Sequence, residues 1–472
     1  MFGNYSVEFI KQEQNYLVNG VYWLKRIGSA RREKERIAAL GRSIGGKEMI
    51  RKKLEKVRQS IWLYPAIYSI FSLLGALLVI QIDSGYLVNY QESIPSFFLT
   101  STDLARMIHG IIAGAFITIT TFTFSITMVV LTMYMSQLSP RVVENFLTQK
   151  NTMQSFGVFV GGFTYSIVSL LFTRNTIAGY TVISASIGVV YIGVGLVYFV
   201  LFINNVATFI QTGNVIDRLY YESKEKIATY KTLLTTHPVV ARPRVEDYEG
   251  SFFIHCEKNG YIQQIQDRKL FDMVDRKKLV VVFQKVVGQY VTMGEVLFTV
   301  YYSEKTEEVQ SMADGIRGFV SIGDHKTEKQ DFAYTIQKIV EVALRALSPG
   351  INDPFTAVQC IRSIGELLEL LSDEKYGYIK VDHDPEEAGY VLLEAYCFEL
   401  MLHDAFDQIV HYGESDIKVM RAVLHALQLL ERRSIDENHQ AVAGYREYLL
   451  RKIESNHFDE FEIKTIKQEY LS

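Results

Sequence analysis

An apolar segment longer than a bilayer is thick leaves a chain few ways to fold. The segment from Leu104 to Pro140, LARMIHGIIAGAFITITTFTFSITMVVLTMYMSQLSP, is of that kind. It has 36 residues before the proline. As one helix these span about 54 Å at the α-helical rise, against about 30 Å for a hydrocarbon core. The helix must therefore overshoot the membrane or break inside it. It is also rich in hydroxyls: Thr118, Thr120, Thr121, Thr123, Ser125, Thr127, Thr132 and Ser136. Ser139-Pro140 marks its end, because the residue before a proline resists the α region.

Three more apolar segments accompany it. Ile61–Ile82 is a 22-residue uncharged span, with Trp62 and Tyr64 where interfacial aromatics belong. Met153–Phe172 and Gly179–Ile203 follow, joined by the short turn TRNTIA. The flanking charge sets an expected orientation. Met1–Arg58 carries 14 Lys/Arg against 6 Asp/Glu, whereas Asp83–Asp103 has three acids and no Lys or Arg. Basic flanks stay in the cytoplasm. Both termini are thus expected inside, in a bacterial inner membrane, with Arg106 and His109 at the outer mouth of the second span and Gln137, Pro140 and Arg141 at its inner mouth. No cleavable leader is visible before the first span. The basic N-terminal segment reads as a topology signal with contact to anionic lipid as the functional alternative.

At 100° per residue, Gly110, Gly114, Thr118, Thr121, Ser125, Thr132 and Ser136 share one stripe of the second span, and Thr120, Thr123 and Thr127 lie roughly opposite. Each hydroxyl can be satisfied by the carbonyl one turn back in its own helix. Alternatively, one stripe packs on neighbouring helices while the other lines a hydrated path. In that case Thr118, Thr121, Ser125, Thr132 and Ser136 would be pore-lining: an uncharged hydroxyl wall solvates a solute without trapping it. Small-residue pairs at four-residue spacing, Gly110/Gly114, Gly157/Gly161 and Ser184/Gly188, predict close helix packing or an oligomer contact. One pore helix per four-span subunit implies a cyclic homo-oligomer.

Beyond the membrane part the pattern changes. Asn204–Leu234 reads as a helical extension, and HPVVARPRVEDYEGS, with two prolines, as a linker. FFIHCEKNGYIQQI, KKLVVVFQKV and GEVLFTVYYS read as strands, with a short helix RKLFDMVDR between the first two. VVGQYVTMGEVLFTV is similar to the glycine-punctuated pattern of biotinyl- and lipoyl-type barrel-sandwich domains, with Gly288 and Gly294 supplying turns. Lys277 and Lys278 do not sit at an exposed hairpin tip of the kind that carries the cofactor there, so no cofactor is expected.

From Gln330 onward the chain is expected to be helical. A helix over Asp331–Leu347 is followed by the tight connection Ser348-Pro349-Gly350-Ile351-Asn352-Asp353-Pro354. Asn352 or Asp353 can cap the next helix, with Pro354 at its first position. The alternative is that these residues make a ligand or subunit contact. Further helices are expected over Glu387–Tyr412 and Ser415–Arg433. Glu394, Glu399, His403, Asp404 and Asp407 would cluster on the first of these, where the i,i+4 spacing is one that metal sites use. A solvated face explains the same residues, and no metal site is expected. Cys256, Cys360 and Cys397 are too dispersed for ligand spacing. No phosphate-binding loop, dinucleotide fingerprint or nucleophile elbow is present, and the basic segment lacks the aromatics of a nucleic-acid surface.

The expected fold is membrane α-helical, with four transmembrane helices, plus a cytoplasmic α+β region made of a small barrel-sandwich-like β-domain followed by a helical domain. The divisions fall at 1–58, 59–204, 205–243, 244–305 and 306–472. TFSITMVVLTMYMSQLSPRVVENFL, the pair GYIQQI and GQYVTMGEVL, and TEKQDFAYTIQKIVEVALRALSPGINDPFTAVQC together resemble a widespread bacterial family of integral membrane proteins catalogued as a domain of unknown function. The resemblance covers roughly Ser60–Arg433. It implies four spans and a cytoplasmic C-terminal region, and it transfers no activity. The functional expectation is a homo-oligomeric channel or transport protein for ions or small solutes. A membrane-anchored scaffold acting through the helical domain is the alternative, and no enzymatic activity is expected.

Overall fold

The computed structural model describes residues 62–86, 95–137, 150–173, 181–209, 212–241, 248–266, 270–271, 274, 279–303, 312–381, 389–456 and 458–470. Among these residues four helices are long and apolar enough to cross a membrane. They are α1 (Leu63–Gln81), α2 (Thr102–Gln137), α3 (Lys150–Phe172) and α4 (Ser184–Phe209). The second runs unbroken for 36 residues, so the excess length projects beyond the apolar layer. The basic segment 1–58 lies outside the described residues.

Small residues set how closely these helices approach. Gly157 and Gly161 of α3 lie against Tyr68 and Ser72 of α1, and Gly188 of α4 lies against His109 and Ile112 of α2. Gly162 and Gly195 flank the ring of Phe116, which is fully buried. At one end, Thr100–Ser101 (β1) pairs antiparallel with Thr181–Val182 (β2). The fourth helix therefore starts at Ser184, later than the Gly179 expected from hydropathy. Its first turn is held from the turn just after α1: the Asp83 carboxylate accepts from the N–H groups of Ile183, at 2.9 Å, and Ser184, at 3.3 Å. An acceptor carboxylate there answers both the unsatisfied N–H groups and the positive end of the helix dipole.

Helix α5 (Thr212–Thr236) follows α4 and leads into the extramembrane region. There β3 (Val239–Val240), β4 (Gly250–His255), β5 (Gly260–Ile265), β6 (Val280–Phe283), β7 (Tyr290–Val291) and β8 (Val296–Tyr302) precede the short helix α6 (Ala313–Arg317) and β9 (Val320–Gly323). Helices α7 (Phe332–Ala346) and α8 (Pro354–Glu369), strands β10 (Tyr378–Val381) and β11 (Tyr390–Glu394), and helices α9 (Phe398–Gly413), α10 (Ile417–Glu431), α11 (Asp436–Ser455) and α12 (Glu460–Tyr470) complete the order.

The expected strands form, and Gly288 and Gly294 take positive φ at their turns. Among the described residues the sheets do not close into a barrel-sandwich. Instead there are two open sheets: a six-stranded one in the order β3-β10-β11-β6-β8-β4 and a three-stranded one in the order β7-β5-β9. In the larger sheet β11 runs parallel to β6, and every other pairing is antiparallel. The sheet thus draws strands from both sides of residues 244–305. Val239–Val240, read as linker, supplies an edge, and Tyr390–Glu394, read as helix, supplies a central strand. The physical reason is burial. Val391 and Leu393 join one apolar cluster and Leu392 joins another, so both faces of β11 are covered and its residues read as a continuous apolar run. Glu394 consequently ends a strand and does not share a helix with Glu399.

The helical part and the membrane bundle share one core. Val130 of α2, Phe202 and Val206 of α4, and Val215, Ile216 and Leu219 of α5 belong to the same buried cluster as the inward faces of α7 to α11. Asp331 caps α7, its Oδ1 accepting from the Tyr334 N–H at 2.9 Å. Burial pushes its carboxyl up to about 6.

Candidate functional site: the uncovered face of the second membrane helix

The two polar stripes of α2 have opposite environments. Thr123 and Thr127 are buried inside the bundle, and Thr120 is half-buried. Gly110, Gly114, Thr118, Thr121, Ser125 and Thr132 are exposed on its outside. A Cβ added at Gly110 or Gly114 would meet nothing within 4 Å, unlike those at Gly157, Gly161 or Gly188. Of the three small-residue pairs, one is therefore left without a partner helix among the described residues.

The arrangement within that face is informative. At 100° per residue these six positions, with Met128, fall within an arc of about 80°. Its edges carry the bulky exposed side chains Ile111, Ile117, Phe122, Phe124 and Val129. A face turned to lipid tails would be apolar in its middle. Here the arc is small and hydroxylated from Gly110 to Thr132 apart from Met128, with Met107 on the same arc one turn earlier. The hydroxyls from Thr118 to Thr132 are closed locally: Thr118 donates to the Gly114 carbonyl at 2.8 Å, Thr121 to Ile117 at 2.9 Å, Ser125 to Thr121 at 2.9 Å and Thr132 to Met128 at 2.9 Å. Thr120, Thr123 and Thr127 do the same on the buried side. A hydroxyl that donates to its own helix keeps its oxygen lone pairs pointing outward, so the face presents acceptors and no bare donors.

The other expected positions separate. Arg106 is exposed near one edge of this face. His109 precedes Gly110 and is rotated about 100° from it, which turns it inward. It is fully buried beside Tyr165, with ring centroids 5.9 Å apart, and neither ring nitrogen has a hydrogen-bond partner among the described residues. Ser136 and Gln137 complete the last turn of α2, and only their backbone is described. Pro140 and Arg141 lie outside the described residues.

The connection Ser348–Pro354 is explained locally. The N–H of Ile351 and that of Asn352 donate to the Ser348 carbonyl at 3.0 and 2.9 Å. Asn352 adopts φ 49°, and Asp353 caps α8, accepting from the Thr356 N–H at 3.1 Å and its hydroxyl at 2.6 Å. Pro349 and Gly350 are exposed, and Pro354 opens the helix. On α9, His403 pairs with Asp407 at 3.1 Å, and Tyr445 donates to the same carboxylate at 2.8 Å. Glu399, His403, Asp404 and Asp407 all face outward. Sequence reasoning missed Asp83 as a helix cap and Asp331 as a buried acid. The lone acid at the end of an uncharged span, and Asp before an apolar run, were the available signals.

Four apolar helices joined through a shared core to a mixed-sheet and helical region define a polytopic membrane protein. The chain belongs to the predicted membrane protein family DUF2254, whose model matches residues 58–429. Uncharacterized proteins of Mycobacterium bovis and Mycobacterium tuberculosis are each 23% identical over 414 residues, covering 81% of this chain and 74% of theirs. No solved structure matches the chain.

Proposed function

We propose that the protein is a homo-oligomeric membrane channel, or a channel-like transporter, for ions or small solutes. Copies of α2 line the path, and the extramembrane region, on the cytoplasmic side with both termini, regulates it. The observation that carries the reading is the uncovered face of α2, small and hydroxylated at its centre and bulky at its edges. Around a rotation axis the edges would pack subunit on subunit, and the hydroxyls would meet a hydrated path. The shared core linking Val130 to α5 and α7 gives the extramembrane region purchase on the inner end of that helix. No reaction is part of this reading. Purified protein in liposomes should pass ions, and Thr118→Leu, Thr121→Leu and Ser125→Leu together should abolish most of the flux while leaving the oligomer intact. No flux at any voltage, pH or osmotic tension would overturn it.

A second reading, a membrane-anchored scaffold, draws on the exposed Phe355, 79% accessible, beside Ile351 and Asn352. Cross-linking from Asn352 that captures one stoichiometric partner, lost in Phe355→Ser, would favour it.

A further inference from the structure

Helix α8 runs beside α5 in the same direction. A Cβ at Gly213 would lie 3.9 Å from the Gln359 Nε2, the Tyr220 phenol lies beside the Glu366 carboxylate, and the Lys231 Nζ donates to the Leu370 carbonyl at 2.8 Å and pairs with Asp373 at 2.9 Å. The first two contacts share one sequence offset, and the same offset sets Phe355, in the first turn of α8, level with position 209, where α4 ends. Helix α8 therefore starts at the membrane end of the extramembrane region and runs away from the bilayer. The fourth membrane helix sets the scale. Ser184–Ile203 covers the ~30 Å of a hydrocarbon core at the helical rise, and Asn204 and Asn205 follow. The end of α4 lies about 8 Å further on, at the depth of the headgroup layer.

What stands at that depth is apolar and aromatic. Phe355 is 79% and Ile351 37% accessible. The only charged residue from Ala346 to Ile361 is Asp353, whose carboxylate is taken up by the cap of α8. The N–H groups of Ile351 and Asn352 donate to the Ser348 carbonyl and that of Asp353 to the Ala346 carbonyl. The turn can thus approach hydrocarbon without these donors left bare. Gly413, at the end of α9, lies against Leu347, which brings the exposed Tyr412 to the same end. Aromatic side chains with an apolar body are the residues that settle at a membrane–water boundary. We infer that the turn Ser348–Phe355 is an interfacial anchor, whose Ile351 and Phe355 side chains enter the headgroup–acyl boundary of the leaflet beside the extramembrane region. Its partner is lipid. Depth favours lipid over a soluble protein, which would have to displace headgroups to reach these side chains. The inference does not depend on whether α2 lines a path, nor on which side of the membrane the region occupies.

The test is tryptophan fluorescence of the full-length protein in bilayer nanodiscs of phosphatidylcholine and phosphatidylglycerol. Trp23→Phe and Trp62→Phe remove the native tryptophans. In that background Phe355→Trp reports the turn, and Leu400→Trp, exposed in the first turn of α9 and so at the opposite end of that helix from Gly413, is the control. Both positions are exposed, and both variants should elute as the parent does. Phe355→Trp should emit to the blue of Leu400→Trp and lose most of its emission when the lipids are brominated near the top of their acyl chains. Leu400→Trp should keep its emission in the same lipids. Adding Ile351→Asp should weaken the quenching of Phe355→Trp. Red-shifted emission from Phe355→Trp that bromine leaves unchanged would overturn the inference. Blue-shifted emission that bromine leaves unchanged would also overturn it, by placing a protein partner or a second copy of the chain over the ring. Equal quenching of both tryptophans would remove the depth argument and overturn it as well.

Discussion

The backbone of Gly288 lies directly against the carboxylate of Asp331, so that a Cβ at position 288 would overlap its Oδ2. Gly288 also holds φ +90°, a conformation that side-chain-bearing residues rarely adopt. The two requirements coincide at the point where the β-region meets the cap of α7. Gly288→Ala should therefore cost about 2–4 kcal/mol, combining backbone strain with overpacking. A drop in the unfolding temperature of the purified protein reads this directly, and an unchanged temperature would contradict the placement of Asp331.

Asp331 itself should make stability depend on pH. Burial raises its carboxyl from 3.8 to about 6 in the folded chain, against the lowering effects of the Tyr334 N–H and Lys326. The folded state then holds the proton more tightly than the unfolded state does. Its contribution is fully present below about pH 4 and is lost as pH rises through about 6, amounting to roughly 3 kcal/mol. Asp331→Asn keeps a capping oxygen and removes the titration, so its unfolding temperature should vary less across this window. An identical pH profile in the variant would assign the dependence elsewhere.

The turn before α8 should behave as structure. Asp353→Ala removes a cap and should destabilise by about 1 kcal/mol. Asn352→Gly relieves a positive φ and should be neutral or slightly stabilising. Thermal unfolding and size-exclusion chromatography of both variants check this. A change of oligomeric state in Asn352→Gly with stability intact would instead reveal a subunit contact.

Asp83 ties the end of α1 to the start of α4. Asp83→Ala leaves the N–H groups of Ile183 and Ser184 without their acceptor and should cost roughly 1–3 kcal/mol. Asp83→Asn, which retains an acceptor oxygen, should cost less. Unfolding in detergent measures both, and equal losses would mean that the charge rather than the hydrogen bonds holds the junction.

The membrane helices were legible in the sequence because each carries its own signal: a long apolar run with aromatic or small residues at defined places. The caps before α8 and the turns at Gly288 and Gly294 were legible for the same reason, being local. The sheet was not. Its centre pairs β6 with β11 in parallel, joining residues more than a hundred positions apart, and β11 is a buried strand whose continuous apolar run reads equally well as helix. The hydroxyl periodicity of α2 showed two stripes, yet only packing could say that Thr123 and Thr127 turn inward and Thr118 and Thr121 outward. His109 was expected at the outer mouth of the helix, and one residue of rotation turns it into the bundle, where it is buried.

The central claim is that the outward face of α2 lines a hydrated path. Single cysteines at Thr121 and Ser125, in a background without Cys256, Cys360 and Cys397, test it in reconstituted liposomes with a membrane-impermeant thiol reagent. Val190→Cys, on an exposed face of α4, is the control. The account predicts that the reagent blocks flux through the Thr121→Cys and Ser125→Cys proteins and leaves Val190→Cys unmodified and conducting. Block at Val190→Cys with none at Thr121→Cys or Ser125→Cys would contradict it.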